Sequence, residues 1–261
     1  MNHLFVLLKK EWLEARRSYK LLWFPVVFMF LGIIQPLSCY YLPQILHMAG
    51  GLPEGMDITL PQFTAEDVLT STLTNQFDQL GLIVIVIGMM DIVVADKKNG
   101  MLTFILTRNT TLGEYLLSKW IGQAAIVAGS VTTGFLMAVF YTSYLYHFVP
   151  LARVVAGLGV YYIWCLFILT VALMMGALLS RSSAVAVISI FVLILLKVVT
   201  VFGSVFQILN PSYLTNHAVN IIITGNALPH FFTTVAVKLL LILFILFLSK
   251  YYLYRKELPS M

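Results

Sequence analysis

The stretch "LLWFPVVFMFLGIIQPLSCYYL", residues 21–42, carries no charged side chain over its whole length. A helix needs about 20 consecutive apolar residues to cross a hydrocarbon core of about 30 Å, and this stretch meets that requirement. The chain has 261 residues, of which 60% are hydrophobic and 10% are charged. A soluble globular domain has about 25% charged residues. The sequence therefore predicts an integral membrane protein.

Further long apolar runs follow the first one along the chain. They are continuously apolar, whereas the strands of a membrane barrel are short and alternate between apolar and polar residues. We therefore predict an all-α integral membrane protein, one domain of residues 1–261, with six transmembrane helices called spans one to six. Their expected bounds are Leu21–Leu42, Phe77–Ala95, Trp120–Phe148, Val154–Leu179, Ala184–Phe206 and Phe231–Leu248.

The basic residues predict the orientation of the spans. If the N-terminus is cytoplasmic, Arg153 is the only lysine or arginine in an outer loop. The first extracellular loop, residues 43–76, instead contains Glu54, Asp57 and Glu66. This distribution follows the positive-inside rule and predicts a multi-pass protein of the bacterial plasma membrane with both termini in the cytoplasm. The basic residues on the cytoplasmic side are Lys9, Lys10, Arg16, Arg17, Lys20, Lys97, Lys98, Arg108, Lys119, Arg181, Lys250, Arg255 and Lys256.

Motifs for catalysis, nucleotides and metals are missing from the sequence. There is no phosphate-binding loop, no His-Glu-x-x-His and no Gly-x-Ser-x-Gly. Cys39 and Cys165 fall in different spans and are expected to be packing residues. The outer histidines lie in separate loops, without the spacing of a helical zinc site. We therefore expect no catalytic residues, metal or cofactor, and no binding of nucleic acid because the basic residues are spread along the membrane rim.

The N-terminal residues 1–20 have the pattern of an amphipathic interfacial helix. Leu4, Phe5, Leu8, Trp12 and Ala15 recur at helical spacing, and charged residues occupy most of the other face. Two interpretations remain open. The helix could be a simple topological anchor, or it could be an elbow that braces span one.

Residues 96–119 form a cytoplasmic region of mixed polarity between spans two and three. Its length exceeds what a tight reversal needs. Asn99 and Gly100 are suited to the end of a helix, and residues 108–111, "RNTT", supply turn and cap residues before the next one begins at Leu112. Between them a short apolar segment needs cover from either lipid or a partner protein.

This region resembles the coupling region of ABC-2 type transporter permeases. The family often has an acidic-basic pair, a glycine, a leucine-rich piece, a turn and a final Tyr-Leu-x-Ser/Gly-Lys. The matching elements here are Asp96-Lys97-Lys98, Gly100-Met101-Leu102, Phe104-Ile105-Leu106, Arg108-Asn109-Thr110-Thr111 and Tyr115-Leu116-Leu117-Ser118-Lys119. The layout of nearly the whole chain also resembles these permeases, although Met101 and Thr110 depart from the common pattern.

The resemblance implies a permease subunit that exports a hydrophobic or amphipathic compound. Its expected partners are cytoplasmic ABC ATPase subunits, which bind the ATP, and a second permease subunit. A non-transporting anchor or sensor that recruits an ATPase is the alternative. The coupling residues expected to dock the ATPase are Lys97, Lys98, Gly100, Leu102, Phe104, Ile105, Leu106 and Arg108.

The outer segment of residues 207–230 contains the stretch "YLTNHAVNIIIT", residues 213–224, which is too short and too polar to span the membrane. Asn210-Pro211 and Gly225-Asn226 are helix breakers on either side of this stretch. The resemblance implies two half-helices here that cap the outer end of the path, and an ordinary loop is the alternative.

Charged residues within the spans are costly and are therefore candidates for function. Lys197 could contact substrate or pair with Asp78, and Lys238 could contact substrate or extend to the outer headgroups. Asp91 could pair with Lys97 or with the N-terminal helix.

Overall fold

The computed structural model describes residues 3–48, 63–102, 111–200 and 203–257. Every regular element in these residues is helical, and six helices are long and apolar enough to cross a membrane. This confirms the predicted all-α membrane architecture. The six spans are Lys20–Met48, Ala65–Lys98, Leu112–Leu145, Leu151–Leu178, Ser182–Val199 and Phe231–Glu257. We call the end of the bundle beside the N-terminal helix the inner end and the opposite end the outer end.

Span two begins earlier than the sequence suggests. It starts as an α-helix at Ala65–Ser71, where Thr64 and Asp67 form a reciprocal capping box. It continues as a π-helix at Thr72–Gly81 and then as α-helices Leu82–Met89 and Val94–Lys98. The expected loop of residues 43–76 is therefore wrong at both ends, because span one also continues to Met48.

Spans one and three make the closest helix contact in the described residues. A Cβ atom built on Gly32 would overlap the backbone oxygen of Gly134. A Cβ atom on Gly134 would in turn overlap the backbone oxygen of Phe28. Small residues allow helix backbones to approach in a membrane, and this pair fixes span one against span three.

Span four lies at the centre of the bundle. Tyr161, Trp164 and Ile168 on this span are fully buried, and they pack in one cluster with Phe77 of span two and Ile222 of the outer segment. Spans five and six instead expose large apolar side chains, such as Phe191 and Phe244. Lipid is the natural cover for such faces in a membrane protein.

The outer segment contains two short α-helices, and the first begins at Ser204, before the expected start of the segment at residue 207. They are Ser204–Leu209 and Leu214–Thr224, with a 3-10 turn at Pro211–Tyr213 between them. Asn210 caps the turn by accepting a hydrogen bond from the Ser212 N–H, at 3.0 Å. Gly225, with a φ of 81°, ends the second helix, because its left-handed conformation suits glycine.

Candidate functional site

The N-terminal helix, His3–Arg17, presents a carboxylate to the bundle. Glu11 and Ala15 are its buried residues, and Glu11 is 4% exposed. Span three accommodates this side chain at Gly122, where an added Cβ atom would lie 3.2 Å from the Glu11 Cβ. The aromatic residues Phe5 and Trp12 are exposed on the other side of the helix.

Lys119 of span three holds two carboxylates from two other elements. Its Nζ lies 3.0 Å from Glu11 Oε1 and 2.8 Å from Asp96 Oδ2 at the end of span two. The Tyr115 hydroxyl donates a second hydrogen bond to Asp96 Oδ2, at 2.8 Å. Lys10 Nζ lies 3.6 Å from Asp96 Oδ1. We call these five residues, Lys10, Glu11, Asp96, Tyr115 and Lys119, the ionic cluster.

The ionic cluster is charge-balanced, and its central side chains are almost closed to solvent, whereas the Lys10 side chain is 30% exposed. The side chains of Lys119, Glu11 and Asp96 are 2%, 5% and 6% exposed. A buried charge is tolerated only when it is paired and hydrogen-bonded, and the two lysines here match the two carboxylates. The cluster therefore fixes the N-terminal helix to the ends of spans two and three. The helix is therefore more than a simple anchor, but the cluster braces it against spans two and three and not against span one, as the elbow interpretation expected.

Lys97 does not point away from the bundle as a docking residue would. Its Nζ donates to the carbonyl oxygens of Gly176 and Ala177, with a distance of 2.9 Å to Gly176. These carbonyls belong to the last turn of span four, which has no amide partner for them. Lys97 therefore caps span four, and its expected role in ATPase docking is not supported by this position.

Leu102 is also placed differently from the expectation. It is 1% exposed and packs with Val93, Leu173 and Leu253 from spans two, four and six. The prediction that a partner must cover Leu102 is wrong, because the chain itself covers it.

The other coupling residues divide into two groups. Lys98 and Gly100 are exposed, and Gly100, with a φ of 66°, follows the helix end that the sequence predicted. Thr111 caps span three by accepting from the Glu114 N–H at 3.2 Å, which is also as predicted. The docking residues Phe104, Ile105, Leu106 and Arg108 lie outside the described residues.

Asp91 has neither of the partners expected for it. Its carboxylate accepts a hydrogen bond from the hydroxyl of Ser182, the first residue of span five. Lys20, at the start of span one, donates a hydrogen bond to Gln123 Oε1 of span three at 2.7 Å. Polar contacts at the inner end therefore link span two to span five and span one to span three.

Asp78 and Lys197 form a second charged site, nearer the outer end. Lys197 Nζ lies 2.9 Å from Asp78 Oδ2 and also donates to the Asp78 backbone oxygen. Trp164 Nε1 donates to the other carboxylate oxygen, Asp78 Oδ1, at 2.6 Å. Of the two roles considered for Lys197, the ion pair with Asp78 is the one that the structure contains.

Lys238 is fully buried in span six. It donates a hydrogen bond to the backbone oxygen of Ile208, in the last turn of the short helix Ser204–Leu209. The expected extension into the headgroups and the expected contact with substrate are both wrong for this conformation, because the side chain is 0% exposed. Lys238 instead anchors the outer segment to span six.

Sequence reasoning missed Glu11 as a site residue. The available signal was its position, since Leu4, Leu8, Glu11 and Ala15 follow one another along one face of the helix. A carboxylate in an apolar stripe needs a buried partner. The identity of that partner, Lys119, depends on helix packing and has no signal in the local sequence.

The fold and the buried ion pairs define a multi-pass α-helical membrane protein. Residues 44–258 match the model of a family described as "Protein of unknown function (DUF2705)". The chain is also 36% identical over 186 residues to the uncharacterized transmembrane protein YxlG of Bacillus subtilis (strain 168), an alignment that covers 71% of each chain. The chain belongs to the DUF2705 family.

Proposed function

We propose that this protein is the permease subunit of an ATP-driven ABC exporter. It would move a hydrophobic or amphipathic compound out of the cell, with ATP bound and hydrolysed by a separate ATPase subunit. The observation that carries the proposal is the attachment of residues 96–102 to the bundle. These are the last residues of span two and those that follow it, and in the sequence they lead to the expected docking residues Phe104, Ile105 and Leu106. Residues 96–102 contact the N-terminal helix and spans three, four and six.

This attachment is what a coupling region requires. A movement imposed on residues 103–110 from the cytoplasm would reach Asp96 and Lys119 at one end and Thr111 at the other. Because Asp96, Lys97 and Leu102 together contact the N-terminal helix and spans three, four and six, the movement would pass to several elements together. Chains of packed and hydrogen-bonded side chains of this kind carry coupling between distant sites.

The proposed partners follow from the surfaces that the bundle leaves open. Lys98 and Met101 are exposed and lie close in the sequence to the expected docking residues Phe104, Ile105 and Leu106. They would contribute to the contact with a cytoplasmic ATPase. The apolar faces of spans one, five and six would meet lipid and a second permease subunit. Under this proposal the inner end and both termini would lie in the cytoplasm.

Copurification tests the proposal. The tagged chain is purified from the membranes of its own cells, and we expect an ABC ATPase to copurify with it. Burying one large apolar side chain is worth about 1.5–3 kcal/mol, so Phe104→Ala or Ile105→Asp should weaken this association by about tenfold or more. Asn220→Ala, at the outer end, is the control and should retain the ATPase.

Two results would argue against this function. Recovery of the full amount of ATPase with the Phe104 and Ile105 variants would show that the segment does not dock it. An ATPase whose ATP turnover in liposomes does not respond to any hydrophobic or amphipathic compound would favour the anchor or sensor function instead.

A further inference from the structure

A polar cavity of about 240 Å³ opens at the outer end, beside the Asp78–Lys197 pair. All nine residues that line it are polar, although the chain as a whole is 60% hydrophobic. Polar and ionisable residues within spans are rare and usually mark a functional site. The volume suits one small polar group.

The cavity is built on the π-helix Thr72–Gly81. Asn75, Asp78 and Gln79 of this helix line the cavity. A π-helix of this length is unusual, because such helices mostly occur as single turns and frequently at functional sites. The irregular stretch therefore coincides with the polar cavity and not with the apolar packing further along span two.

Of the two charged groups of the pair, the ammonium group of Lys197 is the more exposed to the cavity. Trp164 and Lys197 occupy the two carboxylate oxygens of Asp78, which is 6% exposed. The Lys197 side chain is 25% exposed, and its ammonium group has one N–H beyond the two that it gives to Asp78. The amide groups of Asn75, Gln79 and Asn216 are exposed beside it and can also donate.

Thr215 adds a buried hydroxyl to the same cavity. It is 3% exposed, and its Oγ1 lies near the Asp78 carboxylate without a hydrogen bond of good geometry. A buried hydroxyl without a partner costs free energy, which a bound polar group could recover.

We propose that this cavity binds the anionic headgroup of a lipid from the surrounding bilayer. The phosphate would lie against Lys197 and the amides of Gln79 and Asn216, and the acyl chains would remain in the bilayer. Leu80 and Val198, which directly follow Gln79 and Lys197 in the sequence, are exposed apolar side chains on the two helices that supply these cavity residues. Binding at this site needs no ATPase, so it goes beyond the proposed exporter function.

The test measures lipid binding to the purified chain in nanodiscs or neutral detergent. Native mass spectrometry compares phosphatidylglycerol with phosphatidylcholine, and glycerol 3-phosphate serves as a headgroup without acyl chains. We expect a preference for phosphatidylglycerol. The double variant Gln79→Leu with Asn216→Leu should weaken its binding by about tenfold, because two hydrogen bonds to the headgroup are lost.

The controls separate this site from the basic inner rim. Asn220→Leu lies on the same short helix as Asn216 but outside the cavity, and it should bind the lipid like the unchanged chain. Asn216 and Asn220 are both polar residues of that helix, and only Asn216 lines the cavity. A difference in lipid binding between the two variants therefore reflects the loss of cavity residues. Equal binding of both lipids would overturn the proposal. So would lipid binding that the double variant leaves unchanged, or glycerol 3-phosphate binding as tightly as the lipid.

Discussion

Lys119 Nζ lies 3.0 Å from Glu11 Oε1, although 108 positions separate these residues in the sequence. The contact links the N-terminal helix to span three. The same ammonium group also pairs with Asp96, and this second contact links both elements to span two. One buried lysine therefore determines how three elements meet beside the proposed coupling segment.

Replacing Lys119 should destabilise the bundle. Lys119→Met leaves Glu11 and Asp96 buried without their main partner, and breaking a buried pair costs about 3–5 kcal/mol. We expect a lower midpoint of thermal unfolding in detergent and faster proteolysis of the N-terminal helix. Lys98→Met is the matched control, because Lys98 is exposed. An unchanged midpoint for Lys119→Met would mean that the cluster contributes little to stability.

Asp78 and Lys197 should behave as a coupled pair. Lys197→Met alone leaves a buried carboxylate with only the Trp164 N–H, and we expect a loss on the order of 3 kcal/mol. Adding Asp78→Asn removes the uncompensated charge and should restore part of the stability. The interaction energy comes from a double-mutant cycle on thermal unfolding. Additive effects of the two changes would contradict the pairing.

The contact between spans one and three predicts which glycines tolerate a side chain. Gly32→Val forces a side chain into the backbone of span three and should cost about 1–3 kcal/mol or more. Gly129→Ala is the control on span three, because no atom lies within 4 Å of a Cβ built there. It should be neutral or slightly stabilising, by up to about 1 kcal/mol, since alanine is the better helix former. Equal yields of folded protein for both variants would exclude this contact.

The predicted orientation can be tested with two introduced cysteines. Asn226→Cys lies at the outer end and Asn99→Cys at the inner end, and both positions are exposed. The native Cys39 and Cys165 are buried and should give little background. An impermeant thiol reagent added to intact cells should label Asn226→Cys and leave Asn99→Cys unlabelled. The reverse pattern would invert the topology and remove the proposed ATPase contact.

His217 should make stability depend on pH. It is fully buried between the rings of Tyr213 and Phe231, and neither ring nitrogen has a hydrogen-bond partner among the described residues. Burial, followed by the positive charge of Lys238, lowers the pKa of His217 from its ordinary 6.5. Below this ordinary value the unfolded chain therefore binds a proton that the folded chain does not. Stability should fall as the pH decreases from about 6.5, by up to about 1.4 kcal/mol per pH unit, until the folded-state pKa is reached.

The variant His217→Phe isolates this effect. It retains an aromatic ring between the two neighbours and cannot be protonated. The midpoint of thermal unfolding should therefore decrease less between pH 7.5 and 5.5 than in the unchanged chain. An identical decrease in both proteins would assign the pH dependence to other groups.

The amino-acid sequence by itself determined the membrane class, the number of spans and seven of the twelve span ends to within three residues. Each of these depends on local properties. The length of an apolar run indicates a span, and a helix end is indicated by a glycine such as Gly100 or Gly225 or by a capping hydroxyl such as that of Thr111. The start of span two was missed because Thr72, Asn75 and Gln76 are polar, and polarity within a span is satisfied by neighbours that the local sequence does not show. Gln76 Nε2, for example, donates a hydrogen bond to Gln35 Oε1 of span one at 2.9 Å.

The tertiary structure alone decided the partners of the charged residues. The sequence identified Asp78 and Lys197 as a possible pair, but it also allowed Asp91 to pair with Lys97, which in fact caps span four. It did not identify Glu11 and Lys119 as partners. A buried charge must find a counter-charge because removing it from water is costly. Which counter-charge lies within 3 Å depends on the rotation and depth of each helix, and these follow from close packing such as that of Gly32 against Gly134.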